Sequence, residues 1–261
     1  MSVQVEIRGP LHIVTLNRPE VHNCVDRPVA EALRAAVKAF RDDQTARVLI
    51  LTGAGTEAFC SGADLKAATS PFNLYSSPDA VGDGPMGISR ITDVDKPTIA
   101  AINGHCYAGG LELACWCDFR IADEAAQFGV LNRRWGVPLV DGGTQRLPRI
   151  VGLGNALYLI ETGVRIDART ALRMGLVQEI VPKGKALERA IEFGERIAVY
   201  PWHSLLADRL AAHSAWALPL VDGLRLEARL GEATLGEIEM REGLQRYARG
   251  DRPAPLTPTG E

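Results

Sequence analysis

What this 261-residue sequence lacks narrows it before any motif is read. No apolar run approaches the roughly 18 residues that a membrane span requires, so no membrane partner is expected. The first ten residues, MSVQVEIRGP, carry no basic-then-apolar pattern, which predicts a protein that is not exported. No CxxC pair occurs. The five cysteines (Cys24, Cys60, Cys106, Cys115 and Cys117) are odd in number and several lie in apolar segments, so reduced thiols in a cytoplasmic protein are expected. Neither charge sign dominates: 29 Lys and Arg against 32 Asp and Glu leave a net charge of −3, which argues against a general nucleic-acid binder.

Several motifs are also missing. His105 with Cys106, Cys115 and Cys117 fits no common zinc spacing, so no metal is expected and core cysteines are the simpler reading. Gly104 and Gly109 have the spacing of a phosphate loop, but Gly110-Leu111 stands where Lys-Ser/Thr is needed. Ser61 with His105 could be imagined as a nucleophile pair, yet there is no G-x-S-x-G elbow to expose the serine.

What is present is a chain with 46% hydrophobic residues, enough for a substantial core. Its centre is KPTIAAINGHCYAGGLELACWCDFRIAD, residues 96–123. This reads as a buried strand over 98–103, a glycine-broken turn, a short helix from about 108 to 116, and a strand ending at Asp123. A helix opening on Gly109-Gly110 presents bare N–H groups and the positive end of its dipole. Glu112, three residues after Gly109, shares that helix face. An acid one turn from an exposed N–H donor, inside an apolar run, marks the chemical centre.

Around it, residues 11–16 and 48–51 read as strands, the second a continuous apolar run covered on both faces. Asp26 caps a helix carrying Val29, Leu33, Val37 and Phe40 at helical spacing. A glycine-rich turn over 53–62 leads to a helical piece at 64–68. Residues 69–87 read as a long loop of the kind kept for a lid or a binding segment. Residues 127–130 read as strand, Asp141-Gly142-Gly143-Thr144 as a turn into a helix, Asp167 as the cap of a helix to 174, and 177–181 as a last strand. From Lys185 the periodicity is helical only, with helices expected over 185–199, 202–217 and 221–248 and a loose end from Gly250. The chain thus divides at about residue 195 into an α/β core (1–195) and a helical region (196–261).

Two turns stand out together, AFCSGADLK (58–66) and INGHCYAGGLELA (102–114). Each places a backbone N–H beside glycine where a buried strand gives way to helix. Two convergent donors can hold the oxygen of a thioester as it becomes enolate-like, at roughly 3 kcal/mol per donor. With NRPEVHN (17–23), CDFRIAD, QFG, GGTQRLPRIVG and AxxMGLVxxIVP (171–182), these segments closely resemble the crotonase, or enoyl-CoA hydratase/isomerase, superfamily. The matches fall in the family's order from residue 17 to 182.

The resemblance implies a spiral of repeated ββα units with C-terminal helices that mediate trimers, and hexamers as dimers of trimers. It implies an acyl-CoA thioester substrate and no separate cofactor, the coenzyme A being part of the substrate. The oxyanion donors would be the N–H groups of Ala63 and Gly109. Substrate would lie against Val21, Asn23, Ala63, Asp64, Leu65, Lys66, Gly109, Gly110 and Asn132, with Lys66 and the segment Val21-His22-Asn23 near the CoA phosphates or adenine. Family hydratases share a water between two glutamates. Glu112 matches the first, but Asn132 stands where the second is expected and cannot carry a proton at neutral pH.

Asp141 is the substitute candidate, since some isomerase and dehalogenase relatives place an aspartate near this turn. A one-residue shift decides whether Asp141 or Val140 occupies the spot. Burial beside Leu139 and Val140 would raise its pKa toward the range of a general acid. Against these roles stand two structural ones: Glu112 paired with Arg133 or Arg134, and Asp141 as a helix cap. Arg133-Arg134-Trp135 reads either as a solvated edge or as part of the acyl pocket. The reaction expected first is hydration of a 2-enoyl-CoA, catalysed by Glu112 and Asp141. Double-bond isomerisation comes next, then non-catalytic acyl-CoA binding, with thioester hydrolysis and dehalogenation further off.

Overall fold

The computed structural model describes residues 1–67, 84–252 and 256–257. Two compact units emerge, Met1–Gly194 and Glu195–Thr257. In the first, strand and helix alternate. The strands are β1 (Val3–Arg8), β2 (Leu11–Leu16), β3 (Val48–Gly53), β4 (Ala58–Cys60), β5 (Thr98–Ile102), β6 (His105–Tyr107), β7 (Phe119–Asp123), β8 (Gln127–Gly129), β9 (Ile166–Asp167) and β10 (Glu179–Val181).

They form two sheets, in the orders β1-β2-β3-β5-β7-β10 and β4-β6-β8-β9. The chain visits the sheets in turn: β3 then β4, β5 then β6, β7 then β8. Within each sheet these successive strands are parallel neighbours. Each circuit therefore advances one strand in both sheets, which is a spiral. The all-buried strands β3 (VLILTG) and β5 (TIAAI) have the continuous apolar character that a parallel sheet covered on both faces requires.

Helix α1 (Arg27–Asp42) buries Val29, Leu33, Val37 and Phe40, and the Asp26 carboxylate accepts from the Val29 N–H at its start. At its other end the buried Lys96 ammonium donates to the Phe40, Arg41 and Asp43 carbonyls, satisfying acceptors the helix leaves open. Helix α2 (Gly109–Trp116) is apolar all round except for Glu112, and its residues 110–115, Glu112 included, are buried. Helices α3 (Gly143–Val151), α4 (Leu153–Thr162) and α5 (Ala168–Arg173) follow, and the two units divide within α6 (Ala186–Ala198), after Gly194.

Some expectations shift. The piece over 64–68 is a turn at 65–67, and Ala68 lies outside the described residues, as does most of the 69–87 loop. Strands β1, β4, β6 and β9 and helix α4 were not anticipated: the turns expected over 53–62 and before 108 each contain a short strand. β1 has one buried residue, Val3, so its strand pattern is an edge with little apolar weight. In the second unit α7 (Trp202–Ser214) stands near its expected place, but the helix expected over 221–248 is two, α8 (Leu220–Thr234) and α9 (Ile238–Ala248). Gly236, at φ 92°, breaks it, because left-handed backbone cannot continue a right-handed helix. Among the described residues no helix is long and apolar enough to cross a membrane.

Candidate active site

Strands β4, β6 and β8 lie side by side and parallel, so the turns at their carboxyl ends are neighbours. Ala63 follows β4, Gly109 follows β6 and Asn132 follows β8, and all three line one cavity of about 240 Å³. The turns approach closely: a Cβ on Gly62 would lie 3.0 Å from the Gly109 nitrogen, and its φ of 97° favours glycine as well. Gly110 is more tightly constrained, since a Cβ there would overlap the Cys60 carbonyl.

Ala108, just before α2, adopts φ 50° and ψ −122°, a conformation that costs a side-chain-bearing residue on the order of 1–3 kcal/mol. That kink lets the Ala108 N–H pair with the Gly129 carbonyl while the chain turns abruptly into the helix. Neither the Ala63 nor the Gly109 N–H meets an acceptor among the described residues.

Glu112 lies on α2 and is 3% exposed. Its Oε1 accepts two backbone N–H groups, from Asp141 at 2.9 Å and Gly143 at 2.8 Å. Oε2 has no donor among the described residues, and the residue lines the cavity. Burial, reinforced by the nearby Asp141 charge and opposed by the two N–H donors, pushes the Glu112 pKa up to about 7. Glu112 is not paired with Arg133 or Arg134, whose guanidinium groups donate to the Ile160 and Gly163 carbonyls.

Asp141 is also buried and lines the same cavity. Its carboxylate does not cap α3, whose first turn starts from Gly142 without a side-chain acceptor. Oδ1 instead accepts from the Met86 N–H at 3.0 Å and from the Ser89 hydroxyl. Burial raises its pKa, and these two donors offset part of the rise. Met86, held in this way, packs against Gly109: a Cβ there would lie 2.8 Å from its Sδ.

The cavity thus gathers Ala63, Leu65, Gly109, Glu112, Asn132 and Asp141. Val21, Asn23, Asp64, Lys66 and Gly110 do not line it. The Asn23 side chain is buried and fully engaged, accepting from the Arg18 N–H and donating to the Ala54 and Ala58 carbonyls, so it braces the turn between β3 and β4. Asp64 pairs with Arg18 and accepts from the Lys66 N–H. Sequence reasoning missed Met86, Tyr107, Val137 and Pro138 as cavity walls; apolar residues outside a periodic pattern give no signal. Trp135 also borders the cavity while 73% exposed, which places it at the mouth.

All five cysteines are free thiols, and among the described residues no group of three His, Cys, Asp or Glu side chains is placed to hold a metal.

Comparison with known proteins now bears on this geometry. The family model for enoyl-CoA hydratase/isomerase matches residues 6–254. A Rhizobium meliloti protein named "probable enoyl-CoA hydratase" is 36% identical over 246 residues, 94% of each chain. The (E)-benzylidenesuccinyl-CoA hydratase of Thauera aromatica is 34% identical over 255 residues, 98% of each. A solved enoyl-CoA hydratase from Bacillus anthracis superposes with a TM-score of 0.87 at 33% identity, covering 97% of this chain and 98% of the other. Family model, relatives and fold agree: the chain belongs to the enoyl-CoA hydratase/isomerase family, with the crotonase fold, and is an enzyme of that type.

Proposed function

We propose that this enzyme adds water across a 2-enoyl-CoA to give the 3-hydroxyacyl-CoA. One observation carries the reading. Among the described residues, Glu112 keeps one carboxylate oxygen unengaged in the same cavity as two unpaired backbone N–H groups. The thioester oxygen sits between the Ala63 and Gly109 N–H groups, each worth roughly 3 kcal/mol to the enolate-like state. Glu112 Oε2 takes one proton from water as the water oxygen bonds to Cβ, and the alkene electron pair moves onto the thioester. The same carboxyl then returns that proton to Cα, so H and OH are added and Glu112 ends as it began. A pKa of about 7 leaves both forms of Glu112 populated near neutrality, as a group that takes and gives a proton needs.

Asp141 is the partner carboxyl. It raises the affinity of Glu112 for a proton and fixes Met86 beside the hole. Coenzyme A enters as part of the substrate, with no further cofactor, in the cytoplasm. The large exposed apolar side chains of the second unit, among them Leu210, Trp216, Leu220 and Leu224, support a homotrimer or a dimer of trimers.

A second reading, double-bond isomerisation, is favoured by Asn132, since moving a proton from one carbon to another needs one carboxyl and no water. Product analysis with a panel of enoyl-CoA thioesters tests both. A 3-hydroxyacyl-CoA supports hydration, a shifted alkene supports isomerisation, and either is to vanish in Glu112→Gln. Binding that raises the melting temperature without any turnover would instead mark a non-catalytic acyl-CoA binder.

A further inference from the structure

The peptide groups that hold Glu112 are themselves held from behind. The Asp141 N–H donates to Glu112 Oε1 at 2.9 Å, and the carbonyl of that same peptide unit, Val140 O, accepts from Arg90 Nη2 at 3.1 Å. The next carbonyl along, Asp141 O, accepts from Arg146 Nη1 at 3.3 Å. The Arg146 guanidinium lies against Gly142, where an added Cβ would overlap Nη1. The two arginines come from different parts of the chain, Arg90 from the segment before β5 and Arg146 from α3, and both are half-buried. Among the described residues Arg146 makes no ion pair. A half-buried arginine is ordinarily matched by an acid, yet this one is given to a main-chain carbonyl beside two buried carboxyls.

We infer that Arg90 and Arg146 clamp the 140–143 turn against Glu112 and keep its carboxyl ionised for the first proton transfer, as positioning residues that act through Val140 and Asp141. Neither arginine lines the cavity. The inference rests on the reading of Glu112 as the proton carrier and deepens it. A guanidinium keeps its charge at any pH where the protein folds. Placed on a carbonyl, it polarises the peptide and makes the N–H at the other end a better donor. A better donor on Oε1 favours the carboxylate over the acid.

The charges around Glu112 fit this division of work. Burial and the Asp141 charge raise its pKa, while the Gly143 and Asp141 N–H groups and the Arg146 charge hold it at about 7. Cys115, on the same helix, stays a neutral thiol because burial lifts its pKa to about 11. The strands packed on α2 bring Cys60 and Cys106, also kept neutral by burial, and Arg120, whose guanidinium goes to the Ala114, Cys117 and Leu176 carbonyls. Arg146 is thus the cation that offsets Asp141.

The test titrates Glu112 by 13C NMR on protein labelled at the glutamate side-chain carboxyl, its resonance identified by its loss in Glu112→Gln. Arg90→Met and Arg146→Met are each expected to raise the midpoint by about half a pH unit or more, and Arg146→Lys, which keeps the charge, to move it by less than about half of that. The kcat/KM profile for crotonyl-CoA should follow: the rate falls near neutrality and recovers toward the wild-type plateau at alkaline pH, with KM little changed. A merely structural arginine would lower the rate alike at every pH and leave the midpoint in place. That result, or a lysine variant that shifts as far as the methionine one, overturns the inference. Where a methionine variant does not fold, glutamine at the same position, neutral and polar, carries the same expectation. The titration needs no turnover, so wild type that hydrates no enoyl-CoA removes the hydratase reading while the midpoints still judge the arginines.

Discussion

Asp141 gives its backbone N–H to Glu112 at 2.9 Å while its own carboxylate turns away, to the Met86 N–H and the Ser89 hydroxyl. One residue thus steadies the proton-carrying carboxyl through its main chain and raises that carboxyl's pKa through its side chain.

Glu112→Gln is expected to lower kcat by about three orders of magnitude with little change in KM, because the amide keeps the shape and an Oε1 acceptor but cannot move a proton. In wild type, kcat/KM for hydration should rise with pH and level off above about 7, since the first step requires the ionised carboxyl. Steady-state kinetics from acid to mildly alkaline pH check both. An unchanged rate in the glutamine variant, or a profile flat through neutrality, would remove Glu112 from the mechanism.

The same carboxyl costs the fold stability. In the unfolded chain it ionises near 4.5, and in the folded protein near 7, so between these values the folded state holds the extra proton. Its contribution is therefore most favourable below about 4.5 and is lost as pH rises through about 7. The shift corresponds to about 3 kcal/mol at most. Urea unfolding of Glu112→Gln should show the variant gaining on wild type by up to about that amount from acid to alkaline pH. Parallel curves at both ends would contradict the raised pKa.

Asp141→Asn separates electrostatics from proton transfer. Asparagine still accepts from Met86 and Ser89, so the loop stays in place, but the negative charge near Glu112 is gone. The midpoint of the kcat/KM profile is expected to move to lower pH, because Asp141 is the second-largest cause of the Glu112 shift. The plateau rate is expected to fall by less than about tenfold. A loss as large as that of Glu112→Gln would make Asp141 a proton carrier in its own right.

Much of this was legible in the sequence for a definite reason. Ala63, Gly109 and Asn132 each follow a short strand, and glycines mark the turns at 62 and 110, where a positive φ at Gly62 and the nearby Cys60 carbonyl at Gly110 disfavour a Cβ. Glu112 was legible as an acid in an apolar helix. The direction of the Asp141 carboxylate was not, because it depends on Met86 and Ser89, distant in sequence and outside any periodic pattern. The role of Asn23 was hidden likewise: its three hydrogen bonds reach Arg18, Ala54 and Ala58, and a family motif cannot distinguish a brace from a ligand contact. The spiral itself follows from pairing between strands some 50 residues apart, such as Leu49 with Thr98, which periodicity alone does not specify.

Ala108→Gly should stabilise the protein. Alanine at φ 50° and ψ −122° is strained, and glycine occupies that region freely. Relief of the strain outweighs the added unfolded-state entropy, for an expected net gain of about 1 kcal/mol, seen as a higher denaturation midpoint. A loss of stability would show that the alanine methyl contributes more through packing than it costs in strain.

Gly143→Ala tests the seat of Glu112 directly. Gly143 carries no unusual φ, so alanine is acceptable to the backbone and only space is at issue. A Cβ there would stand 2.9 Å from both Cγ and Oε1 of Glu112, closer than such atoms approach, so the carboxylate must swing off the Gly143 N–H. Moving an acid/base group by a fraction of an ångström to an ångström is enough to cost about 100-fold in rate. The expected result is a fall of that order in kcat/KM, with substrate binding less affected. Gly154→Ala in α4 is the control, since nothing lies within 4 Å of a Cβ there. It should leave the rate unchanged and raise stability by about 0.5–1 kcal/mol through helix propensity. Equal effects of the two substitutions on the rate would show that the contact between Gly143 and Glu112 does not position the acid.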